Sequence, residues 1–264
     1  MNGKTMTTIG NYKIVREIAE GGFGRTYEAR HLLLDEKACL KQNLKMTAED
    51  EKLLRQEAKL LWNIHHYSLP AMRDYFKSPD GSFIMAMSFV EGKTLEHSVK
   101  KHTAIHPEDV CWISQRILNA LNYLHYHGII HGDVKPANII VQPQLHNAFL
   151  VDYGLASLRP KRYSAAIGYT PIFAAPEFTQ GKSPLPSSDL YSLGLTMMYV
   201  LGGDPIAKKM PDHVPQPIQK FFKQFVVHDP LERPDWQKQD LVERLSDIRY
   251  EVFGRRHAVE KIKK

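Results

Sequence analysis

The chain has 264 residues, with a hydrophobic content of 43% and a charged content of 24%, the values of an ordinary globular protein with a sizeable core. Its net charge is +6, and its two cysteines, Cys39 and Cys111, fit neither a zinc-binding spacing nor a disulfide framework. No apolar signal core opens the chain, and the longest apolar run, residues 190–201, is too short to cross a bilayer. We therefore expect a cytoplasmic protein without a membrane span.

The first part of the chain is predicted to form strands and one helix. Short segments rich in β-branched, aromatic or apolar residues alternate with turn residues. Thr47 begins a helix-start pattern, after which apolar residues recur at helical spacing as far as Ile64. The predicted strands cover residues 12–18, 25–29, 38–41 and 83–90.

From about residue 107 the pattern becomes helical. Pro107 opens an amphipathic helix that Gly128 stops. Ser188 begins an almost wholly apolar segment that ends at residues 202–203, and this predicts a helix buried on all sides. A last amphipathic helix is predicted over residues 241–252.

This order of elements predicts an α+β fold with two lobes. A small β-rich lobe precedes a larger α-helical lobe, and the two are joined near residues 88–91. Clefts between lobes are favoured places for ligands, so we expect a binding site there.

Basic residues concentrate at the C-terminal end, at Arg255, Arg256 and residues 261–264. Such a run can attract nucleic acid or anionic lipid. A solvated tail explains the same residues without any partner. We favour the tail and expect no nucleic-acid partner.

Two features suggest phosphate chemistry, although each has a simpler explanation. The glycine-rich loop at residues 20–27 lies between two predicted strands, and its backbone N–H groups are suited to phosphate oxygens. A plain hairpin turn would fit the same residues. Lys41 ends an apolar strand, where its charge needs a partner, and Glu57 on the predicted helix is a candidate. Alternatively, Lys41 reaches solvent and Glu57 is exposed.

Together with four further patterns, these features strongly resemble the eukaryotic-type (Hanks-type) protein kinase family, and bacterial members in particular. The patterns are the glycine loop at 20–27, the lysine strand at 38–41, Glu57, His-Gly-Asp at 131–133, Asn138, Asp-Tyr-Gly at 152–154 and Ala-Pro-Glu at 175–177. The resemblance implies a bilobal kinase domain over residues 12–264, after a short extension over 1–11. Its N-lobe covers about 12–87, its hinge 88–91 and its C-lobe 92–264.

The resemblance assigns catalytic roles to four residues. Lys41 is expected to hold the α- and β-phosphates of ATP, and Glu57 to hold Lys41. Asp133 is expected to orient the acceptor hydroxyl and accept its proton, while Lys135 neutralises charge at the γ-phosphate. Such roles suit phosphoryl transfer, in which catalysis is mostly positioning and electrostatic stabilisation.

The implied cofactors are ATP and Mg²⁺, with Mn²⁺ as an alternative metal. Asn138 and Asp152 supply hard oxygen ligands of the kind that Mg²⁺ prefers. Residues 88–90 match the hinge that hydrogen-bonds adenine, with Met87 before it as gatekeeper. The residues implied to contact the nucleotide are Ala19, Glu20, Gly21, Gly22, Phe23, Gly24, Thr26, Cys39, Lys41, Met87, Ser88, Val90, Glu91 and Ile140.

The resemblance also implies a serine/threonine acceptor in a protein substrate. Lys135 stands where serine/threonine kinases carry a lysine, and Thr170 falls where they place a threonine that faces the catalytic loop. Glu177 and Arg233 match a buried ion pair that braces the substrate-binding segment.

Several positions depart from the family pattern. Ala19 replaces the first glycine of the loop, while Thr26 and Cys39 stand where valine and alanine usually cover the adenine. These changes are modest in volume, so we expect nucleotide binding to survive. Tyr153 replaces the phenylalanine of Asp-Phe-Gly, and its hydroxyl needs a partner if it is buried.

The most informative departure is Gly132, which stands where many members have an arginine that binds a phosphorylated residue of the activation loop. The position of the usual phosphorylation site holds Ala166. Because both receptor and acceptor are missing, we expect activity that needs no loop phosphorylation. Tyr163, Ser164 and Tyr169 could be modified without meeting that arginine.

Other classes of function are less consistent with the residues. A pseudokinase, acting as a scaffold or nucleotide-binding regulatory module, is the alternative to an active enzyme, but the lysine, aspartates and asparagine that such proteins typically lose are present. A small-molecule kinase is disfavoured by the Ala-Pro-Glu pattern and Arg233. The histidines at 125, 127 and 131 could suggest a metal site, but packing and helix-end roles are favoured.

Overall fold

The computed structural model describes residues 7–21 and 24–256. The chain divides into two compact units, the first ending at Val90 and the second beginning at Glu91. The first unit is a curled antiparallel β-sheet with a helix, and the second is mainly helical, so the fold has the predicted α+β class. Among the described helices, none has the length and apolar character that a membrane crossing requires.

The first unit contains one sheet in which all neighbouring strands are antiparallel. Its strands are β1 (Thr8–Ile9), β2 (Tyr12–Gly21), β3 (Gly24–His31), β4 (Lys37–Gln42), β5 (Met72–Lys77) and β6 (Phe83–Ser88). Across the sheet the order is β1-β2-β3-β4-β6-β5. Strands were predicted correctly at β2, β3, β4 and β6, whereas β5 was missed and β1 lies in the predicted N-terminal extension.

One face of this sheet carries the apolar core of the first unit. Successive side chains of a strand point to opposite faces, so every second residue of β4 and β6 reaches this core. Leu40, Ile84 and Ala86 are fully buried there, together with Tyr12 and Ala29. The opposite face is left for the side chains described below as the candidate site.

Helix α1 (Ala48–Leu61) contacts β5 and β6. Its N-cap is Thr47, whose hydroxyl accepts a hydrogen bond from the backbone N–H of Asp50 at 3.2 Å. Acidic residues fill the first turn, where they suit the helix dipole. The predicted helix start at Thr47 is therefore confirmed.

The second unit consists mainly of helices with short strands between them. The helices are α2 (Leu95–His102), α3 (Pro107–Tyr126), α4 (Pro176–Thr179), α5 (Pro186–Val200), α6 (Gln216–Lys223) and α7 (Leu241–Phe253). The strands are β7 (Lys93–Thr94), β8 (Ile129–Ile130), β9 (Ile139–Gln142), β10 (Asn147–Leu150) and β11 (Ser157–Leu158), arranged as β10-β9-β7 and β11-β8. The helices predicted from Pro107 and over 241–252 are confirmed as α3 and α7.

Helix α5 is the buried helix that the sequence predicted. It begins at Pro186 instead of Ser188, because proline suits the first turn and the Ser188 hydroxyl accepts the N–H of Leu185 at 3.0 Å. Nearly every residue from Ser188 to Val200 is buried. A Cβ atom on Gly194 would lie 2.8 Å from Val226 Cγ1, so a neighbouring segment packs directly on the helix backbone.

The C-terminal arginines differ from the sequence interpretation. Arg255 forms an ion pair with Glu108 of α3 at 2.5 Å, and Arg256 forms ion pairs with Glu243 and Asp247 of α7. Both arginines are exposed, as the solvated-tail interpretation expects, but they also have carboxylate partners, because α7 packs beside α3. Residues 261–264 lie outside the described part of the chain.

A buried ion pair braces the segment that leads into α4. Arg233 donates to both carboxylate oxygens of Glu177, at 2.7 and 2.9 Å, and the two residues are 4% and 3% exposed. The Ser188 hydroxyl also donates to Glu177. Burial acts to raise the pKa of Glu177, but the hydrogen bonds from Arg233 and Ser188 outweigh it and hold the pKa below its usual value.

We predict that Glu177→Gln lowers the free energy of unfolding by about 3–5 kcal/mol at pH 7, because it leaves the Arg233 charge buried without a counter-ion. The folded-state pKa of Glu177 lies below the unfolded one. The stabilisation is therefore complete above the unfolded pKa and is lost as the pH falls through the folded pKa. Urea denaturation at pH 7 and under acidic conditions would measure both effects.

Glu243→Gln is the matched control, since it removes one carboxylate from an exposed ion pair with Arg256. An exposed pair contributes at most about 1 kcal/mol, so the control should unfold almost like the parent protein. Equal losses in the two variants would contradict a bracing role for Glu177.

Candidate functional site

Five of the first-unit residues expected near the nucleotide share one face of the sheet. Thr26 lies opposite both Ala19 and Lys41, and Cys39 lies opposite Met87. Cys39 and Lys41 are two residues apart on β4. Since paired residues and residues two apart point to the same face, these five side chains form one group.

Lys41 and Glu57 form a buried ion pair within this unit. Lys41 Nζ lies 2.7 Å from each carboxylate oxygen of Glu57, and the residues are 6% and 4% exposed. Glu57 points inward because it shares a buried stripe of α1 with Leu54 and Leu61. The alternative of a solvent-exposed lysine and glutamate is therefore wrong. The ammonium group is held in a fixed place on the face described above, where it can attract phosphate oxygens.

The glycine loop is a tight hairpin between β2 and β3. Gly21 pairs with Gly24 across its end, while Gly22 and Phe23 lie outside the described residues. Gly24 has a φ of +137°, and a Cβ atom there would lie 2.3 Å from the carbonyl oxygen of Gln42. Only glycine fits this position, because both the backbone conformation and the space exclude a side chain.

The acidic residue of the loop, Glu20, has its charge compensated. Arg25, on the opposite strand, donates from Nε to the Glu20 carboxylate at 2.8 Å. It also lies 3.3 Å from Glu17. The loop therefore carries an internal ion pair, which offsets the repulsion that Glu20 alone would exert on a phosphate.

The expected hinge residues lie where the first unit ends and the second begins. The N–H of Ser88 donates to the carbonyl of Ala71 at 2.8 Å, and its hydroxyl accepts the N–H of Ala71 at 2.9 Å. Val90 is the last residue of the first unit. In the second unit, the carbonyl of Glu91 accepts a hydrogen bond from Gln142 at 2.8 Å. The chain is thus held at Ser88 by one backbone and one side-chain hydrogen bond, and at Glu91 by a hydrogen bond from the Gln142 side chain.

Ile140 belongs to the second unit, on β9 opposite Thr94. Its Cγ2 atom lies 2.8 Å from the place where a Cβ atom of Gly92 would be, and Gly92 has a φ of +137°. The turn after the hinge therefore packs closely on Ile140, with glycine allowing the approach.

Asp133 is the centre of a polar cluster in the second unit. It is 7% exposed, and its Oδ1 accepts the hydroxyl proton of Thr170 at 2.7 Å. Its Oδ2 lies 2.7 Å from Lys135 Nζ and accepts a hydrogen bond from Asn138 at 2.9 Å. Lys135 also donates to Thr170 Oγ1 at 2.9 Å. A carboxylate oriented by an ammonium, an amide and a hydroxyl is suited to binding and deprotonating an alcohol.

The two residues expected to bind a divalent cation, Asn138 and Asp152, lie beside this cluster. Asn138 uses its amide nitrogen for Asp133, which leaves the amide oxygen as a ligand atom. The backbone carbonyl of Asn138 accepts a hydrogen bond from the backbone N–H of Val151 at 2.9 Å, so the next residue, Asp152, lies close to Asn138. Asp152 is exposed and has a φ of +66°, a conformation uncommon outside glycine. An amide oxygen and a carboxylate are hard ligands, so the residues present fit Mg²⁺.

Tyr153 and His131 pack together behind these ligands. Their rings lie 4.9 Å apart in an edge-to-face arrangement. Tyr153 is 1% exposed, and its hydroxyl donates to the Leu150 carbonyl at 3.2 Å, so the additional hydroxyl has the partner that it needs. Burial lowers the pKa of His131 in spite of the surrounding carboxylates, and its Nδ1 accepts the N–H of Asp133 at 3.3 Å. The imidazole is therefore neutral and orients the Asp133 backbone.

Asp189 of α5 holds the loop that precedes Asp133. Its Oδ2 accepts the N–H of His131, its Oδ1 accepts the N–H of Gly132, and both distances are 2.8 Å. His125 Nε2 lies 2.8 Å from Oδ2. The carboxylate is 1% exposed and is satisfied by these three donors.

Sequence reasoning missed a second layer of this network. The indole N–H of Trp236 donates to His125 Nδ1 at 2.9 Å. Because indole nitrogen is only a donor, His125 Nδ1 must accept, and its proton lies on Nε2, which then donates to Asp189. Trp236 thus selects the tautomer that supports Asp189. The two residues are far apart in sequence, and no local pattern links them.

Gly132 leaves no room for a side chain. Its φ is +78°, and a Cβ atom there would lie 2.7 Å from the carbonyl oxygen of Leu155. Any side chain at this position would therefore require the backbone to move.

We predict that Gly132→Ala and Gly132→Arg lower the unfolding free energy by about 1–3 kcal/mol, through both the left-handed backbone and the contact with Leu155. Gly181→Ala is the matched control, because Gly181 has a φ of +66° with no atom near its Cβ position. Chemical denaturation should show a smaller loss for Gly181→Ala. If Gly181→Ala loses as much unfolding free energy as Gly132→Ala, or more, the contact between a side chain at residue 132 and Leu155 does not destabilise the protein.

Comparison with known proteins adds to this geometry. A family model described as "Protein kinase domain" matches residues 12–253. The chain is 32% identical over 219 residues to Serine/threonine-protein kinase D of Synechocystis sp., covering 76% of this chain and 41% of that protein. It is 29% identical over 215 residues to Serine/threonine-protein kinase pkn3 of Myxococcus xanthus, covering 76% and 39%.

Serine/threonine-protein kinase PrkC of Bacillus subtilis is 25% identical over 250 residues, covering 85% of this chain and 38% of that protein. The chain therefore spans about two fifths of the length of these relatives. The similarity concerns the part of each relative that aligns with this chain.

Proposed function

The chain belongs to the protein kinase domain family, and from this premise we propose that it transfers the γ-phosphate of MgATP to serine and threonine hydroxyls of proteins. The family and the relatives named as serine/threonine-protein kinases support protein kinase activity. The observation that carries the finer proposal is the cluster of Asp133, Lys135 and Thr170. In this cluster a threonine hydroxyl already donates to the Asp133 carboxylate at 2.7 Å, the kind of contact that an acceptor hydroxyl would make.

Asp133 is the proposed base for the acceptor hydroxyl. Each carboxylate oxygen has two lone pairs, so Asp133 can accept the acceptor O–H in addition to Thr170. Lys135 lies 2.7 Å from Asp133 Oδ2 and presents positive charge where the transferred phosphoryl group develops negative charge. Together they orient the acceptor oxygen and remove its proton during transfer.

Each unit supplies its own group of proposed cofactor contacts. Lys41, fixed by Glu57, holds phosphate oxygens in the first unit, and Asn138 and Asp152 hold Mg²⁺ in the second. The metal, when bound, offsets negative charge on the phosphates. The remaining proposed nucleotide contacts of the first unit include Gly21, Gly24, Thr26 and Cys39, which carry no negative charge that would repel a phosphate. Glu20 is acidic, but Arg25 compensates its charge.

We predict that labelled phosphate from MgATP appears on this chain or on a generic serine/threonine protein substrate. Asp133→Asn should lower the rate by about 10²–10⁴-fold, since the amide cannot accept the hydroxyl proton. Asp152→Ala should abolish labelling, because it removes a proposed metal ligand. Identification of the labelled residues by mass spectrometry would test the choice of serine and threonine.

Asp212→Ala is the control, since it removes an exposed aspartate of the same unit and should leave labelling unchanged. A folded protein that binds ATP but transfers no phosphate would overturn the proposal. That outcome would favour a nucleotide-binding regulatory module instead.

We also propose that activity needs no phosphorylation of the activation segment. Contacts within the folded chain already hold the segment from β11 to α4: β11 pairs with β8, Thr170 binds Asp133, and Glu177 binds Arg233. Gly132 offers no guanidinium to a phosphate, and Ala166 offers no hydroxyl. The segment therefore has an ordering mechanism that does not use a phosphate.

Phosphatase treatment, checked by mass spectrometry, is expected to leave the rate of phosphate transfer unchanged. The triple variant Tyr163→Phe, Ser164→Ala and Tyr169→Phe should behave in the same way. Loss of activity after phosphatase treatment, with recovery after preincubation in MgATP, would overturn loop independence. It would leave the kinase proposal itself intact.

A further inference from the structure

The chain between residues 130 and 185 has an unusual distribution of charge. Its acidic residues are Asp133, Asp152 and Glu177. The first two belong to the proposed catalytic and metal site, and Glu177 is buried against Arg233. This stretch therefore contains no exposed acidic residue other than Asp152.

Its exposed basic residues are Arg159, Lys161, Arg162 and Lys182, which we call the basic cluster. Among the described residues, no carboxylate oxygen lies within 4.0 Å of a side-chain nitrogen of these four residues, so none of the four forms an ion pair there. By contrast, Arg255 and Arg256 have such partners at 2.5–2.7 Å. The positive charge of the basic cluster is thus uncompensated within the described chain.

Tertiary contacts hold the basic cluster together. The Ser183 hydroxyl donates to the Lys161 carbonyl, which brings the loop of Lys182 beside the turn that contains Lys161. The same carbonyl accepts the N–H of Ser164 at 2.8 Å, and the Lys161 N–H donates to Ser164 Oγ at 3.2 Å. The backbone at Lys161 is therefore fixed, while the basic side chains remain exposed.

The basic cluster lies in the segment that presents Thr170 to Asp133. At its start, β11 pairs with β8, the strand that directly precedes His131. The Arg159 N–H continues this ladder by donating to the Gly128 carbonyl at 2.7 Å. A polypeptide whose hydroxyl reaches Asp133 would therefore extend past uncompensated cations, which attract anionic groups and repel cationic ones.

We propose that the basic cluster binds anionic groups near the acceptor hydroxyl, so that the preferred substrates are acidic polypeptides. This inference rests on the proposed kinase function. The chemistry recognised is a carboxylate or a phosphate, supplied either by aspartate and glutamate side chains or by a residue that is already phosphorylated. Arginine can bind both groups in a bidentate manner, and lysine binds them as a point charge.

The first experiment compares peptides that share one acceptor serine and differ only in the flanking residues. Aspartate, alanine, lysine and phosphoserine flanks are placed on either side of the serine. We expect KM to be about three- to tenfold lower for the acidic peptides than for the alanine peptide, with kcat unchanged. The advantage should shrink at high salt, because exposed charges are screened. The aspartate and phosphoserine arms distinguish the two sources of negative charge.

The test variant is Lys161→Glu with Arg162→Glu, which should remove the advantage of the acidic peptides. Lys220→Glu with Lys223→Glu is the matched control, because it makes the same change of charge on exposed residues of α6. Peptide binding is also measured by fluorescence anisotropy without ATP. A protein that transfers no phosphate can then still be examined for the binding preference.

Three outcomes would overturn the inference. Equal KM and equal binding for acidic and neutral peptides would mean that the basic cluster is only a solvated surface. Equal loss of preference in the α6 control would mean that net charge, and not the basic cluster, attracts the peptide. Tight binding of single-stranded RNA through the basic cluster, without selection among the peptides, would assign it to nucleic acid.

Discussion

The buried carboxylate of Asp189 supports the loop on which the proposed chemistry depends. An unpaired carboxylate in the protein interior is costly, so it binds the nearest available donors. Here these are His125 and the backbone N–H groups of His131 and Gly132, all at 2.8 Å. Asp189 belongs to the most buried helix of the second unit, so the loop that carries Asp133 is anchored to the core as well as held by its own contacts.

The glycine in this loop follows from the same constraint. Successive N–H groups can converge on one anion when the backbone turns through a left-handed residue, and Gly132 has a φ of +78°. Glycine adopts this conformation without a Cβ contact, so the geometry around Asp189 is reached without strain from a side chain. The family resemblance places a phosphate-binding arginine at this same position, so the structural constraint coincides with the proposed independence from loop phosphorylation.

Most of the longer helices and strands could be predicted from local sequence patterns, but the elements against which they pack could not. Apolar periodicity and capping residues identified α1, α3, α5 and α7, because helices form from contacts between residues that are close in sequence. The short strands β7 to β11 and the short helices α2, α4 and α6 were missed, since brief segments carry little periodic signal. Ion pairs of Arg255 and Arg256 were missed as well, because they depend on the packing of α7 beside α3.

For the site, the sequence alone determined which residue types are present and in what order, and through family resemblance their expected roles. Only the tertiary structure decided that Lys41 meets Glu57, that Thr170 and Lys135 converge on Asp133, and that Trp236 selects the tautomer of His125. It also joined Lys182 to the basic cluster through Ser183. The physical reason is the distance in sequence between the residues that interact. Propensity and periodicity depend on residues that are close in sequence, whereas these hydrogen bonds and ion pairs join groups that only folding brings together.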